Sequence, residues 1–250
     1  MKFALSSPAV EYTDLVSLAE RCRTLGYDGV DLQHPAISAP ELRQIFENTS
    51  VQIACINVTN HFTQNVPADI KIANALRTVL ELAHHTGCHI VKIPDAQPST
   101  RQSVMTTISA MADWLRPLAT LASDLGINLL IENGSTFSTA RPLWMLTERL
   151  DHSAIGICWN VDQTIAAGES PAVTVPTLNS RIRYVQMTAE INQEAITRLR
   201  GIGYTGWIAF HGNPTDAEAF LNATRLPSQK SRAVPGPHRG EDTPAHPRAK

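Results

Sequence analysis

Eight short apolar runs, each followed by a longer segment of helical periodicity, constrain this 250-residue chain more than any other feature in it. The runs cover residues 2–5, 29–32, 52–57, 89–93, 128–132, 154–160, 183–187 and 207–211. Their cores are continuous rather than alternating, as in Asn128-Leu129-Leu130-Ile131, which is the pattern of parallel strands covered on both faces. Between them, residues 13–25 place Leu15, Leu18, Ala19 and Cys22 on one face before Gly26, and the longest periodic segments, 68–86 and 102–125, end at Gly87 and Gly126. An open doubly wound sheet rarely needs eight such units, and no Gly-x-Gly-x-x-Gly turn follows the first run. The expectation is an α/β fold, a closed (β/α)8 TIM barrel in a single domain over residues 1–225.

Residues 226–250 depart from that pattern. They carry Pro227, Pro235, Pro237, Pro244 and Pro247, no aromatic residue and little apolar bulk, so a disordered basic tail is expected. Five basic residues there stand against Glu241 and Asp242. The tail therefore holds +3 of a total of −2, and the barrel segment holds −5. An acidic body is a poor binder of phosphate backbones, which argues against a nucleic-acid partner. No apolar run approaches the roughly 18 residues of a membrane span, and the start is too weakly apolar for a secretory signal, so the expected location is cytoplasmic. Cys22, Cys55, Cys88 and Cys158 are too scattered for a zinc knuckle or a disulfide scaffold.

In such a barrel, chemistry is built at the carboxyl ends of the strands. The residues expected there include Asp31 and His34 after run two, Asn57 and Asn60 after run three, Lys92 and Asp95 after run four, and Glu132 with Asn133 after run five. Asn160, Asp162 and Gln163 follow run six, Gln186 and Thr188 run seven, and His211 and Asn213 run eight. The ring is rich in amides and poor in charge.

Five phrases in order, Gly26-Tyr27-Asp28-Gly29-Val30-Asp31-Leu32, Leu130-Ile131-Glu132-Asn133, Ile155-Gly156-Ile157-Cys158-Trp159-Asn160-Val161-Asp162-Gln163, Arg181-Ile182-Arg183-Tyr184-Val185-Gln186 and Ile202-Gly203-Tyr204-Thr205-Gly206-Trp207-Ile208, resemble the xylose-isomerase-like barrels over about residues 20 to 220. That superfamily holds sugar-phosphate isomerases and epimerases, ketose 3-epimerases, hydroxypyruvate isomerase, inosose and dehydroshikimate dehydratases and the endonuclease IV type of DNA repair enzyme. The resemblance implies a divalent metal, Mn²⁺, Mg²⁺ or Co²⁺, held by Glu, Asp, His and Glu from strands five to eight, and proton transfer next to a carbonyl.

Carried over residue by residue, those ligand positions fall on Glu132, Asn160, Gln186 and His211. Only Glu132 matches in kind. The family's Asp-x-x-His after strand six has become Asn160-Val161-Asp162-Gln163, and its His-x-Lys-Asp has become Gln186-Met187-Thr188-Ala189. Three carboxylates and an imidazole would supply −3 to the cation; this set supplies −1. Hard cations favour charged oxygen ligands, and the loss costs several kcal/mol, on the order of 10³-fold in affinity. The expected cofactor is therefore none, or a weakly bound Mn²⁺ or Mg²⁺. Asp162 could restore a mixed site by a two-residue shift, or else cap the helical segment 164–167. The family's loop after strand seven is also shortened at Ala189-Glu190-Ile191-Asn192.

Within that frame, Glu132 and His211 are the candidate acid/base residues, and His34, Asn57, Lys92 and Gln163 the candidate substrate contacts. Glu132 closes an apolar strand and needs a partner, for which His211 or Lys92 are placed. His84, His85 and His89 fall at the opposite face of the barrel, and Trp159 and Trp207 are expected between barrel and helices. Two functions remain open: a sugar or hydroxy-keto isomerase or epimerase acting on a small polyol or keto-sugar, and a non-catalytic relative that keeps the pocket to bind such a molecule or a partner. An endonuclease is disfavoured, since the histidine-rich three-zinc site is missing.

Overall fold

A computed structural model describes residues 1–6, 14–33, 37–97, 102–188, 190 and 192–225. Its strands are β1 Lys2–Ser6, β2 Gly29–Gln33, β3 Gln52–Asn57, β4 Ile90–Pro94, β5 Asn128–Glu132, β6 Ile155–Asn160, β7 Ile182–Met187 and β8 Trp207–Phe210. Each pairs in parallel with the next, and β1 pairs with β8, so the sheet closes into an eight-stranded barrel. The helices are α1 Leu15–Leu25, α2 Ala39–Glu47, α3 Val66–Thr86, α4 Val104–Asp124, α5 Ala140–Leu150, α6 Val161–Ala166, α7 Pro171–Leu178, α8 Gln193–Gly201 and α9 Ala217–Arg225. This is the TIM barrel expected from the eight runs, whose bounds agree with the strands to within about a residue. The tail, 226–250, and His34 lie outside the described residues.

Local chemistry explains where the helices begin and stop. Asp14 accepts the Val16 amide at 2.9 Å to open α1, and Ser38 with Glu41 forms a reciprocal capping box on α2. Gly26 and Gly87 end α1 and α3 with φ of 82° and 73°, the left-handed turn that returns the chain to the next strand. Ser170 and Pro171 start α7, a second helix in the β6–β7 crossover.

Alternation along each strand divides the apolar residues into two sets. Val30, Val91, Ile131, Trp159, Val185 and Phe210 belong to the large core shared with the helices. Cys55, Ile90, Leu130, Cys158, Tyr184 and Ala209 form a separate smaller cluster, the filling of the barrel itself. Trp159 is fully buried in the outer core, as expected, with Nε1 donating to Thr164 Oγ1 at 3.0 Å. Trp207 differs from the expectation. It shares parity with Ala209, packs on the inner cluster, and has the Lys2 ammonium 5.1 Å from its ring centre. It plugs the base of the barrel, a placement set by strand parity rather than by its bulk.

Candidate active site

The carboxyl ends of the strands bring a single charged network onto the barrel axis. Lys92, third in β4, is inward by parity and its side chain is only 5% exposed. Its Nζ lies 2.8 Å from Glu132 Oε2 and 2.7 Å from Gln186 Oε1, with Asp31 Oδ2 at 3.9 Å. An ammonium only donates, so Gln186 must present its carbonyl oxygen to Lys92. Asp31, wholly buried, also accepts from Asn57 Nδ2. The other oxygen of Glu132 accepts from Asn160 Nδ2 at 3.0 Å.

These contacts set the charges. Burial pushes the Asp31 carboxyl up to about 6, although Lys92 and the Asn57 hydrogen bond pull it down. Burial works against the Lys92 ammonium, yet the acidic groups around it, Asp31 and Glu132 among them, hold its pKa above the ordinary lysine value. Lys92 is thus a fixed cation between two carboxylates, not a surface lysine reaching for solvent.

His211 follows β8 and is half-buried, with Nδ1 3.4 Å from Ser6 Oγ. Burial lowers its pKa, and Lys92 lowers it further, while Glu132 and Asp162 act in the opposite sense. The imidazole is therefore neutral at neutral pH and available as a base. Glu132, 21% exposed, shares the same mouth.

Asn160 has a second structural duty. Its Oδ1 accepts the Gln163 amide at 3.3 Å and caps α6, while its backbone N–H and C=O pair with the Asn133 side chain at 2.6 and 2.9 Å. The cap expected from Asp162 is thus supplied by Asn160, whose shorter path to the amide fits the N-cap geometry. Asp162 instead accepts the Thr188 amide at 2.9 Å and ties α6 to the end of β7. No two-residue shift brings it inward. Asn57 is buried against Asp31 rather than open at the mouth, whereas Gln163 is exposed.

Sequence reading passed over His61. Its Nδ1 lies 2.9 Å from the Asp95 carbonyl oxygen and 3.7 Å from Asp95 Oδ1. A carbonyl accepts only, so Nδ1 carries the proton and Nε2 is the nitrogen left for a ligand. The ring lines a cleft of about 680 Å3 with Thr59, Lys71, Gln97 and Ser135. The signal that could have led to it was Asp95, which the sequence had already placed after run four and which is a buried carboxylate held by the Thr136 and Phe137 amides at 2.8 Å each.

The four positions matching the family's metal ligands, 132, 160, 186 and 211, hold one carboxylate, two amides and an imidazole, a donor set poor in charge for a divalent cation. Both Glu132 oxygens, the Gln186 oxygen and the Asn160 oxygen already accept hydrogen bonds inside the protein. Among the described residues, no group of three or more His, Cys, Asp or Glu side chains is placed to hold a metal ion. Nor is any described helix long and apolar enough to cross a membrane.

Comparison with known proteins follows the same lines. The family model described as xylose isomerase-like TIM barrel matches residues 19–219. A comparison with curated proteins returned no match. Among solved structures, the IOLI protein with a binding zinc atom is similar at 14% identity, TM-score 0.77, over 90% of this chain and 96% of that one. The 3-keto-D-glucoside 4-epimerase YcjR from E. coli is similar at 13% identity, TM-score 0.77, over 90% and 99% of the two chains. A D-tagatose 3-epimerase-like protein is similar at 20% identity, TM-score 0.77, over 89% and 95%.

Proposed function

The chain belongs to the xylose isomerase-like TIM-barrel family, and from that premise we propose that it is an isomerase- or epimerase-like protein moving a proton next to the carbonyl of a small polyol or keto-sugar. One observation carries the reading: Glu132 and His211 share the barrel mouth around the buried Lys92 ammonium. The neutral imidazole removes a proton from carbon, and the electron pair passes into the carbonyl oxygen to give an enediolate. Epimerisation is completed when water protonates the opposite face of the same carbon and the imidazolium proton neutralises the hydroxide left behind. Isomerisation is completed when His211 returns its proton to the adjacent carbon and a proton passes, through Glu132, from one enediol oxygen to the other. Asp31, Lys92 and Glu132 together carry −1, so an uncharged substrate is favoured over a phosphate or a carboxylate. That two similar structures are named as an epimerase and an epimerase-like protein supports the reading. The divalent-metal site usual in this family is weakened or lost here.

The test is solvent deuterium incorporation at carbon, followed by NMR over a panel of ketoses and hydroxy-keto compounds in D2O. Exchange is expected with at least one, falling about 10²-fold or more in His211→Asn and in Glu132→Gln. Because the His211 pKa lies below its ordinary value, the rate should rise with pH below about 6.5 and be level above it. Absence of exchange over the whole panel would overturn the proposal.

One observation favours a second reading, a non-catalytic binder. Both oxygens of Glu132 are occupied, by Lys92 and by Asn160, which blunts the carboxylate as a base. That reading expects a polyol to raise the melting temperature with no exchange at carbon.

A further inference from the structure

We propose that Lys92 is a built-in replacement for the divalent cation, and that removing its side chain turns the barrel mouth into a metal site. The proposal deepens the reading above by assigning the charge that organises the same site. Two of the four positions at which the family pattern places metal ligands, Glu132 and Gln186, both turn their oxygens onto one Nζ, at 2.8 and 2.7 Å. Asp31, from β2, brings a second carboxylate to 3.9 Å. Three oxygen-bearing side chains from β2, β5 and β7 therefore converge on a single cationic point, the arrangement that a hard cation requires and a lysine can imitate with one charge instead of two.

The geometry also says why the cation is internal. An ammonium has three donors; Glu132 and Gln186 take two, and Asp31 Oδ2 is too distant to take the third and has no hydrogen-bond partner of its own. Lys92 is tethered, so it holds the two acids without the entropy of capturing an ion from solution. It acts as a positioning residue: with its side chain 5% exposed, it works through Glu132 rather than by touching substrate.

The test is Mn²⁺ titration followed by EPR, with thermal melts alongside, on the full chain and on Lys92→Ala, Lys92→Arg, Glu132→Gln and Lys92→Ala with Glu132→Gln. Wild type and Lys92→Arg should leave Mn²⁺ free and their melting temperatures unmoved by it. Lys92→Ala should bind one Mn²⁺ at least tenfold more tightly and melt higher when it is present, and the added Glu132→Gln should abolish both effects. Stoichiometric Mn²⁺ binding by the wild type that Glu132→Gln removes would overturn the proposal, as would a folded Lys92→Ala that binds no better than wild type.

Should Lys92→Ala not fold, the decision passes to the wild-type protein labelled with 15N-lysine. There the Lys92 ammonium resonance should persist at neutral pH and stay sharp as Mn²⁺ is added; selective broadening would count against the proposal. None of these readouts needs turnover. Failure to find a substrate therefore leaves the assignment of Lys92 standing, and a metal bound by the wild type leaves the proton-transfer reading standing.

Discussion

At the scale of single residues, Asp31 is sensitive to a change of pH although no water reaches it. It is fully buried, accepts from Asn57, and lies near Lys92 and Glu132. Its folded pKa, about 6, stands above the model-peptide value of 3.8, because burial penalises the charged form more than Lys92 favours it. A raised carboxylate pKa means that the folded state holds the proton more tightly than the unfolded state. Stability from this group is then greatest below about pH 4 and falls as pH climbs to about 6, beyond which the penalty is constant. Urea melts of wild type and Asp31→Asn should therefore diverge in favour of the variant between those limits and run parallel above them. Curves parallel throughout would refute it; His211 titrates in both proteins and cancels from the difference. Sequence alone placed Asp31 at a strand end, and Lys92 as a partner for Glu132. The bond from Lys92 to Gln186 was not legible, because the two are 94 residues apart and only closure of the barrel brings them together.

At the scale of the element, continuous apolar runs and glycine stops were enough to read the strands and most helices, since both signals are local. Which residues face inward was harder, because parity is shifted by irregularities in β2–β3 pairing between Val30 and Asp31 and in β6–β7 pairing between Ile157 and Cys158. Trp207, on β8, faces inward by plain alternation from Ala209 with no such shift, and Gly29 shows what that ring demands of a neighbour. A Cβ built on Gly29 would lie 2.8 Å from the Gln52 carbonyl oxygen and 2.8 Å from the Trp207 ring, so neither the β2–β3 ladder nor the base plug leaves room for it. Gly29→Ala is expected to cost about 1–3 kcal/mol by overpacking, lowering the melting temperature by roughly 2–12 °C. At Gly87 a Cβ would meet nothing within 4 Å, but φ is 73°. Gly87→Ala should therefore lose about 1–2 kcal/mol through backbone strain alone. Adding Trp207→Leu separates the two mechanisms: it should recover part of the Gly29→Ala loss and none of the Gly87→Ala loss. Equal recovery in both would show that the close approach at Gly29 does not set its cost.

For the whole molecule, the ring is closed by its first and last strands, which pair from Lys2 with Trp207 to Leu5 with Phe210. The sequence predicted the barrel because eight units of similar length admit few other closed solutions. It could not show how the ends are held. α9 does this from outside: Phe220 stacks on Phe210 with ring centres 4.9 Å apart, Tyr27 donates to the Ala217 carbonyl at 2.7 Å, and Arg225 donates to the Gly26 carbonyl at 2.7 Å. Each contact joins the last helix to the β8 or α1–β2 region, so α9 clasps the seam between strands eight and one. Phe220 and Leu221 are both buried, and exposing two such side chains costs about 3–6 kcal/mol, or roughly 6–24 °C in melting temperature. A chain ended after residue 213 should therefore melt lower by that amount or aggregate through the opened seam. A chain ended after Arg225 keeps every strand pairing and every α9 contact named here, and it should melt within about 2 °C of the full chain. Calorimetry on the two truncations distinguishes a barrel sealed by α9 from one that needs the last 25 residues, since in the second case the chain ended after Arg225 would itself melt well below the full chain.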